Sequence, residues 1–183
     1  MLKSKVDNRL TDKDTYHSYL DTYETLFARL RDTASNVLEI GIWDGGSISL
    51  WSEYFLRATI HAFDITFLRP AAGFLMSNPR INLTLGVDAY SDSFIAKLAS
   101  ARYDVIIDDG PHTLESMKVV VSKYSQLLTE NGLLIVEDVP NIEWIDELRA
   151  VTPVDLAKYI QVYDLRGNKG RYDDILFVIN KTA

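Results

Sequence analysis

Acidic side chains end two apolar segments of the sequence, and their types and spacing suit metal chemistry. Asp108 and Asp109 end the first segment and precede His112, whereas Glu137 and Asp138 end the second. The 28 positions from Asp109 to Glu137 fit one strand–helix–strand unit. Neighbouring strands lie ~4.8 Å apart, so the carboxylates would converge and require either raised pKa values or a cation. Oxygen ligands of this kind suit Mg²⁺, Mn²⁺ or Ca²⁺.

Each acidic pair also has a simpler explanation. Asp109-Gly110 is a typical turn pair, and Glu137-Asp138 could cap the helix that follows. Either pair alone favours that simpler explanation. The two pairs together, with His112 three positions after one of them, favour a metal site.

A glycine-containing turn after an earlier apolar segment predicts a cofactor site. Gly41 opens this turn, and Asp64 ends the next apolar segment, where it could bind ribose hydroxyls. The alternative is a plain turn with an unrelated aspartate. Trp43 occupies the position at which a dinucleotide-binding turn needs glycine, and Glu39 adds a charge that opposes a pyrophosphate. The residues therefore favour the cationic S-adenosylmethionine over a nicotinamide cofactor.

Short apolar segments alternate with helical patterns along the chain, which predicts an open α/β sheet with parallel strands. The predicted strands are residues 36–40, 59–65, 81–85, 103–108, 132–137, 158–165 and 175–180. The predicted helices are residues 16–31, 47–56, 91–99 and 114–128, the last ended by Asn131-Gly132. The last two strands are joined through residues 167–170 without a helix, and we expect them to form an antiparallel hairpin.

The glycine turn resembles motifs I and II of the class I methyltransferases. The resemblance implies a Rossmann-like fold with a mostly parallel seven-stranded sheet, a C-terminal antiparallel hairpin and helices on both faces. It implies one methyltransferase domain over residues 1–183, with residues 1–33 as an N-terminal helical lid and residues 34–183 as the core. The implied S-adenosylmethionine-binding residues, with Asp64 at the ribose and Asp88 beside the adenine, are Glu39, Gly41, Gly45, Gly46, Ser47, Asp64, Asp88, Ala89 and Asp108.

The two acidic pairs and His112 resemble the macrocin and mycinamicin type of metal-dependent sugar O-methyltransferase. Parts of residues 11–24 and residues 45–51 also resemble that family. The implied metal ligands are Asp109, Glu137 and Asp138, the implied catalytic residues are His112, as general base, and Asp109, and Mg²⁺ is the expected ion. The implied reaction is methyl transfer to a sugar hydroxyl. Pro111 replaces the usual Ser, and the stretch after Asp138, where this family often recognises its acceptor, is short.

The amino-acid composition of the chain argues against several other classes of function. The formal net charge is −7 and the pI is about 4.9, which argues against a nucleic-acid partner. The chain has no cysteine, so disulfides and thiolate sites are excluded. It has no apolar run of membrane-spanning length and no signal-peptide pattern, so we expect a cytoplasmic protein with no membrane partner. A homo-oligomer stays open.

Three alternatives accompany these predictions. The acceptor could be a catechol-like phenol, or the chain could be a non-catalytic S-adenosylmethionine-binding module. The basic cluster of Arg166, Lys169 and Arg171 is interpreted as a solvated loop, with a substrate-facing loop as its alternative. Several aromatic residues are not assigned to the site. His61 is interpreted as a packed strand residue, and His17 as a solvated or stacking residue. Trp43, Trp51 and Trp144 are interpreted as core or interface residues, and Trp144 is the best candidate among them to contact the acceptor.

Overall fold

The computed structural model describes residues 1–182, and Ala183, the end of the expected core, lies outside them. Within the described residues, seven strands form one sheet in the order β3-β2-β1-β4-β5-β7-β6. The strands β1 to β5 are parallel, while β7 pairs antiparallel with both β5 and β6. The strands are β1 (Asn36–Ile40), β2 (Thr59–Asp64), β3 (Ile81–Leu85), β4 (Tyr103–Asp108), β5 (Leu128–Val136), β6 (Ile160–Asp164) and β7 (Ile175–Asn180).

Helices and short 3-10 turns cover both faces of this sheet. The α-helices are α1 (Leu20–Phe27), α2 (Gly46–Tyr54), α3 (Asp92–Ile95), α4 (Leu114–Lys123), α5 (Trp144–Val151) and α6 (Arg166–Lys169). The 3-10 segments are Leu2–Ser4, Pro70–Ser77, Ala96–Leu98, Tyr124–Leu127 and Ala157–Tyr159. No helix over residues 1–182 is long and apolar enough to cross a membrane.

Two apolar cores lie on opposite faces of the sheet because side chains alternate along each strand. On one face, Tyr23 and Phe27 of α1 pack against Trp51 of α2. On the other face, Met117 and Val121 of α4 pack with apolar side chains of the central strands. The predicted α/β class, the mostly parallel sheet and the C-terminal antiparallel pair are therefore confirmed.

The N-terminal helix is shorter than its residue spacing predicted. A helix over residues 16–31 was expected, but α1 begins at Leu20 and ends at Phe27. His17 turns inward to Asp174, with Nδ1 2.5 Å from Oδ1, instead of continuing a helical face. This tertiary contact outweighs the helical spacing of residues 16–19, which therefore lie outside α1.

The segment after α4 also differs from the prediction. The helix ends at Lys123, and β5 already begins at Leu128, which pairs with Tyr103. The pairing register then shifts, so that Leu133 lies opposite Val105 and Gly132 lies within the irregular part of the strand. The Asn131-Gly132 pair therefore marks a strand irregularity and not a helix end. The loop before β7 contains the one-turn helix α6, which the sequence did not predict.

Candidate active site

A cavity of about 810 Å³ lies beyond the carboxyl ends of the central strands. It is bounded by the turn after β1, the end of β2, the segment after β3 and the loops after β4 and β5. Several residues between positions 8 and 15 form another wall of this cavity. The predicted site residues that line it are Gly41, Ser47, Asp64, Asp88, Ala89, Asp109, His112 and Asp138.

Three of these groups converge at one end of the cavity. The Nε2 atom of His112 lies 3.6 Å from Oδ1 of Asp109 and 3.5 Å from Oδ2 of Asp138. Each residue offers a possible ligand atom, and these atoms all lie within 4.8 Å of one another. The parallel pairing of β4 with β5 brings the groups together, as the sequence spacing predicted. Their roles as ligand or base stay predictions.

The backbone at two of these residues has an unusual conformation. His112 and Asp138 both have φ of 52°, which non-glycine residues adopt rarely and at a cost of about 1–3 kcal/mol each. Pro111, which precedes His112, fixes its own φ and donates no N–H. The strain falls on two of the three groups that converge on the cavity.

Glu137 lies beside this cluster but behind the cavity wall. Its side chain is buried, and both of its carboxylate oxygens are already bonded. The hydroxyl of Tyr23 donates to Oε1, and the ammonium group of Lys13 donates to Oε2. Glu137 therefore adjoins the predicted metal position without facing open space, and its role as a ligand stays a prediction.

Lys13 is the main residue that sequence reasoning missed. Its side chain is 1% exposed, and Nζ donates to Oδ2 of Asp109 at 2.7 Å. It also donates to Glu137, and Oε1 of Glu39 lies 3.5 Å away. The only signal was the Thr11-Asp12-Lys13 segment, which resembles the sugar O-methyltransferases but contains no pattern that predicts burial of a lysine.

Burial and charge shift the pKa values of these groups in different directions. Burial raises the pKa of Glu39 to about 7 and raises that of Glu137 well above its ordinary value. Burial and the neighbouring Asp109 charge also raise the pKa of Asp138. Burial opposes the charges of Lys13 and Asp109, but their mutual attraction outweighs it, so the pKa of Lys13 rises and that of Asp109 falls. The ammonium group therefore pairs with an ionised Asp109.

The turn after β1 is shaped by close backbone contact. Gly41 has φ of 99°, and a Cβ atom there would lie 2.0 Å from the carbonyl oxygen of Asp109. Only glycine allows the ends of β1 and β4 to approach this closely. Asp64 accepts hydrogen bonds from the backbone N–H groups of Ile42 and Thr66, at 3.0 and 2.8 Å, while still lining the cavity.

Four predicted cofactor residues lie outside the cavity lining found over residues 1–182. Gly45 approaches Leu75, and Gly46 approaches the backbone of Leu10, so both allow close packing around the turn. Asp108 is buried and accepts a 2.6 Å hydrogen bond from the hydroxyl of Tyr90, which itself lines the cavity. Glu39 is the last of the four, and its carboxylate accepts a hydrogen bond from the indole N–H of Trp51. Direct cofactor contact by these four residues stays a prediction.

The loop before β7 is exposed over residues 167–170, as predicted for a solvated loop, but it also contacts the N-terminal part of the chain. Asp174 is fully buried against His17. Lys169 donates to backbone carbonyls of the N-terminal segment, including that of His17 at 2.7 Å. The Arg171 guanidinium lies 3.4 Å from the ring centroid of Tyr16. Lys169 and Arg171 thus help to hold residues 14–17 in place, whereas Arg166 pairs with Asp164.

The histidines set aside from the sequence have distinct surroundings. His17 is buried and stacks on Tyr19 with ring centroids 4.9 Å apart, so stacking is confirmed and a solvated position was wrong. His61 is a half-buried residue of β2, with Nε2 3.2 Å from Oδ1 of Asn36, as predicted.

The tryptophans also occupy different environments. Trp51 is a core residue, as predicted, whereas Trp43 is 71% exposed at the rim of the cavity. The Arg69 guanidinium covers the Trp43 ring at 4.0 Å from its centroid. Trp144 packs against the second core and is absent from the cavity lining within the described chain.

Comparison with known proteins first defines the class of fold. No protein-family model matches the chain. The structure of the MycE methyltransferase from the mycinamycin biosynthetic pathway, in complex with Mg and SAH, has a TM-score of 0.69 and 20% identity and covers 91% of this chain and 50% of that one. The protein therefore has the class I methyltransferase fold, as predicted. A second MycE structure, in complex with Mg, SAH and mycinamycin VI, has a TM-score of 0.60 and 26% identity over 68% of this chain and 33% of that one.

The sequence relatives narrow the class to one group. The 8-demethyl-8-alpha-L-rhamnosyl tetracenomycin-C 2'-O-methyltransferase of Streptomyces olivaceus is 33% identical over 143 residues, which are 73% of this chain and 36% of the relative. Demethylmacrocin O-methyltransferase of Streptomyces fradiae is 30% identical over 70% of this chain and 33% of its own length. The predicted resemblance to the macrocin and mycinamicin type of sugar O-methyltransferase is therefore confirmed. The chain spans about a third of the length of the curated relatives it matches.

Proposed function

We propose that the protein is an S-adenosylmethionine-dependent O-methyltransferase that methylates a hydroxyl group of a sugar or glycosylated small molecule with the help of a divalent cation. The observation that carries this proposal is the convergence of Asp109, His112 and Asp138 on a cavity that also contains the glycine turn. The resemblance to sugar O-methyltransferases supports the acceptor class.

The cofactor would occupy the part of the cavity next to β1 and β2. The backbone at Gly41 can approach a ligand closely, and Asp64 lines the position proposed for ribose hydroxyls. Asp88 and Ala89 line the region proposed for adenine. The buried carboxylate of Glu39 would favour the positive sulfonium electrostatically. The SAH found with MycE supports this choice of cofactor.

The donor groups at the other end of the cavity fit a hard divalent cation. Asp109 Oδ1 and Asp138 Oδ2 are carboxylate oxygens, and with His112 Nε2 they form a cluster of the size that one ion needs. A bound ion would stabilise negative charge on the acceptor oxygen and orient the hydroxyl. We propose Asp109, Glu137 and Asp138 as the ligands, and Glu137 would then have to exchange one of its present bonds. Mg²⁺ is the expected ion, and the Mg found with MycE supports it.

The chain's own residues would carry out the proton transfer. His112 is one-third exposed at the cavity, and its Nε2 atom lies between carboxylate oxygens of Asp109 and Asp138. We propose that its imidazole accepts the proton from the acceptor hydroxyl as the methyl group is transferred. Asp109 would orient both the cation and the histidine. The walls of the cavity would align the hydroxyl with the methyl group, since in-line positioning accounts for much of the remaining barrier.

The wider organisation remains part of the proposal. We propose that residues 1–33 form a lid over the cofactor and that the rest of the chain forms the core of one methyltransferase domain. The contribution of residues 8–15 to the cavity wall supports this division. The net charge of −7 supports an acceptor other than nucleic acid. A cytoplasmic location and the absence of a membrane partner stay predictions from the sequence.

Calorimetric titration tests this function directly. S-adenosylmethionine and its demethylated product are titrated into the protein with Mg²⁺ and then with a chelator, and glycosides and nucleotide sugars are screened as acceptors under both conditions. We expect cofactor binding in both and methyl transfer only with metal. A protein that binds neither cofactor form contradicts the proposal. Equal transfer rates with metal and with chelator contradict the role of the cation.

A further inference from the structure

The N-terminal segment supplies the hydrogen bonds that orient the acidic end of the cavity. Within residues 1–182, the side-chain donors to the carboxylates of Asp109, Glu137 and Asp138 all come from residues 13–23. Tyr23 donates to Glu137, and Tyr19 donates to Asp138. These two contacts each hold one carboxylate, whereas Lys13 joins two.

Lys13 is a buried member of the acidic cluster and not a surface cation near it. Its side chain is 1% exposed, and the carboxylates around it come from the ends of three adjacent strands, β1, β4 and β5. An ammonium group has three donors, and two of them bond Asp109 and Glu137. The third group nearby, Oε1 of Glu39, lies 3.5 Å away and has no hydrogen-bond partner among the described residues.

Asp109 connects this ammonium group to the cavity. Its Oδ2 atom accepts from Lys13 at 2.7 Å, and its Oδ1 atom lies 3.6 Å from His112 on the cavity side. The bond from Lys13 is the one side-chain hydrogen bond that Asp109 makes within residues 1–182. With Oδ2 fixed, the carboxylate cannot rotate freely, and Oδ1 remains directed towards the cluster. Without Lys13, no described side-chain hydrogen bond would hold that orientation.

We propose that Lys13 is a positioning residue that holds Asp109 in the orientation required for cation binding and keeps Glu137 next to it, and this proposal rests on the proposed metal-assisted function. Lys13 does not contact the acceptor. It fixes one oxygen of Asp109, so that the other oxygen is available to an ion, and it keeps Glu137 beside the same position. Residues that orient metal ligands in this way typically change metal affinity by roughly 10- to 100-fold when they are replaced.

The test compares Mn²⁺ binding, followed by electron paramagnetic resonance, in the wild-type protein and in Lys13→Met, which keeps the length of the side chain but removes its donors. We expect Lys13→Met to lose roughly tenfold or more in Mn²⁺ affinity. Its affinity for the demethylated cofactor, measured by calorimetry with chelator, should change by less than about threefold, because Lys13 is absent from the cavity lining of the described residues. Lys3→Met is the matched control, because Lys3 lies on the same segment, is 47% exposed and pairs with Asp21.

The outcomes separate this proposal from the function on which it rests. Unchanged or tighter Mn²⁺ binding in folded Lys13→Met overturns the positioning role alone, because Lys13 would then be only a counter-charge or a competitor. Equal losses of Mn²⁺ and cofactor affinity also overturn it, since they indicate a general structural role. A wild-type protein that binds no Mn²⁺ overturns the metal-assisted function and this proposal together.

A measurement on the unmodified protein covers the case in which Lys13→Met does not fold. Lys13 is the one buried lysine among residues 1–182, so its ¹⁵N-labelled ammonium signal should be identifiable by slow hydrogen exchange with water. We expect Mn²⁺ to broaden this signal strongly, because the ion and the ammonium group would share the Asp109 carboxylate. A signal that stays sharp at saturating Mn²⁺ overturns the proposal.

Discussion

The surroundings of individual residues at the end of β4 differ, although these residues are close in the sequence. His112 is at the cavity with an uncommon backbone conformation, between Asp109 and Asp138. Asp108 is adjacent to Asp109 in the sequence but is buried, and it accepts a hydrogen bond from the Tyr90 hydroxyl. Two adjacent aspartates thus have different surroundings, because alternate side chains of a strand end point in opposite directions. We therefore expect substitutions of these two aspartates to have different effects.

His112→Ala should reduce turnover by about 100-fold or more, because the general base is lost, while S-adenosylmethionine affinity changes little. Steady-state kinetics and calorimetry measure the two quantities separately. His61→Ala is a suitable control, since His61 is absent from the lining of the cavity in the described chain. Loss of cofactor binding in His112→Ala would contradict the assignment.

Asp108 should make stability depend on pH. Burial raises its pKa from 3.8 to about 6, so the folded state favours the protonated form. This contribution is complete below about pH 4 and is lost as the pH rises through about 6. Relative to Asp108→Asn, the wild-type protein should therefore lose about 2–3 kcal/mol of unfolding free energy between these pH values. Urea denaturation of both proteins at pH 4 and pH 7 measures the difference, and parallel profiles would contradict it.

The elements position the site through the close approach of strand ends. Gly41 lets the turn after β1 lie against the backbone of Asp109 at the end of β4. The parallel pairing of β1 with β4 and of β4 with β5 then places the acidic residues side by side. The parallel direction of these strands could be predicted from strand-and-helix alternation, whereas the pairing of β1 with β4 and the distance between the turn and Asp109 could not.

Gly41→Ala should destabilise the fold by about 3 kcal/mol or more, since the new Cβ atom would lie 2.0 Å from a carbonyl oxygen at a φ of 99°. Thermal or urea denaturation measures the loss. Gly73→Ala is the matched control, because a Cβ atom there meets nothing within 4 Å, and its effect should stay within about 0.5 kcal/mol. Equal stability of the two variants would contradict the steric argument.

At the scale of the whole molecule, the loop before β7 meets residues 14–17 beside Asp138. Lys169 donates to carbonyls of Thr15 and His17 at 3.2 and 2.7 Å, and Asp174 pairs with His17. The mostly parallel sheet, its antiparallel final pair and the acidic residues at the carboxyl ends of its strands follow from local patterns and a family resemblance, whereas the strand order was not predicted. The contacts of His17 with Asp174 and Lys169 join residues more than 150 positions apart, and no local pattern encodes such a pair.

Lys169→Met should loosen the N-terminal segment without unfolding the sheet. The variant loses donors to backbone carbonyls, and a hydrogen bond from a charged group contributes about 1.5–3 kcal/mol. We expect amide hydrogen exchange at residues 14–19 to become about tenfold faster or more, while exchange in β4 and β5 stays unchanged. Lys158→Met, which alters an exposed lysine, is the control. Unchanged exchange at residues 14–19 would contradict the role of Lys169.

The inward turn of His17 has a consequence for the order of folding. Lys13 and Glu137 are 124 residues apart, and His17 and Asp174 are 157 apart. Closing such long loops costs chain entropy before any contact offsets it, so these contacts should form late, after the parallel strands have paired. On the ribosome, residues 13–23 must wait for β7 before they find their final partners. The hydrogen bonds from residues 13–23 to the acidic residues at the carboxyl ends of β4 and β5 should therefore form in a late step of folding.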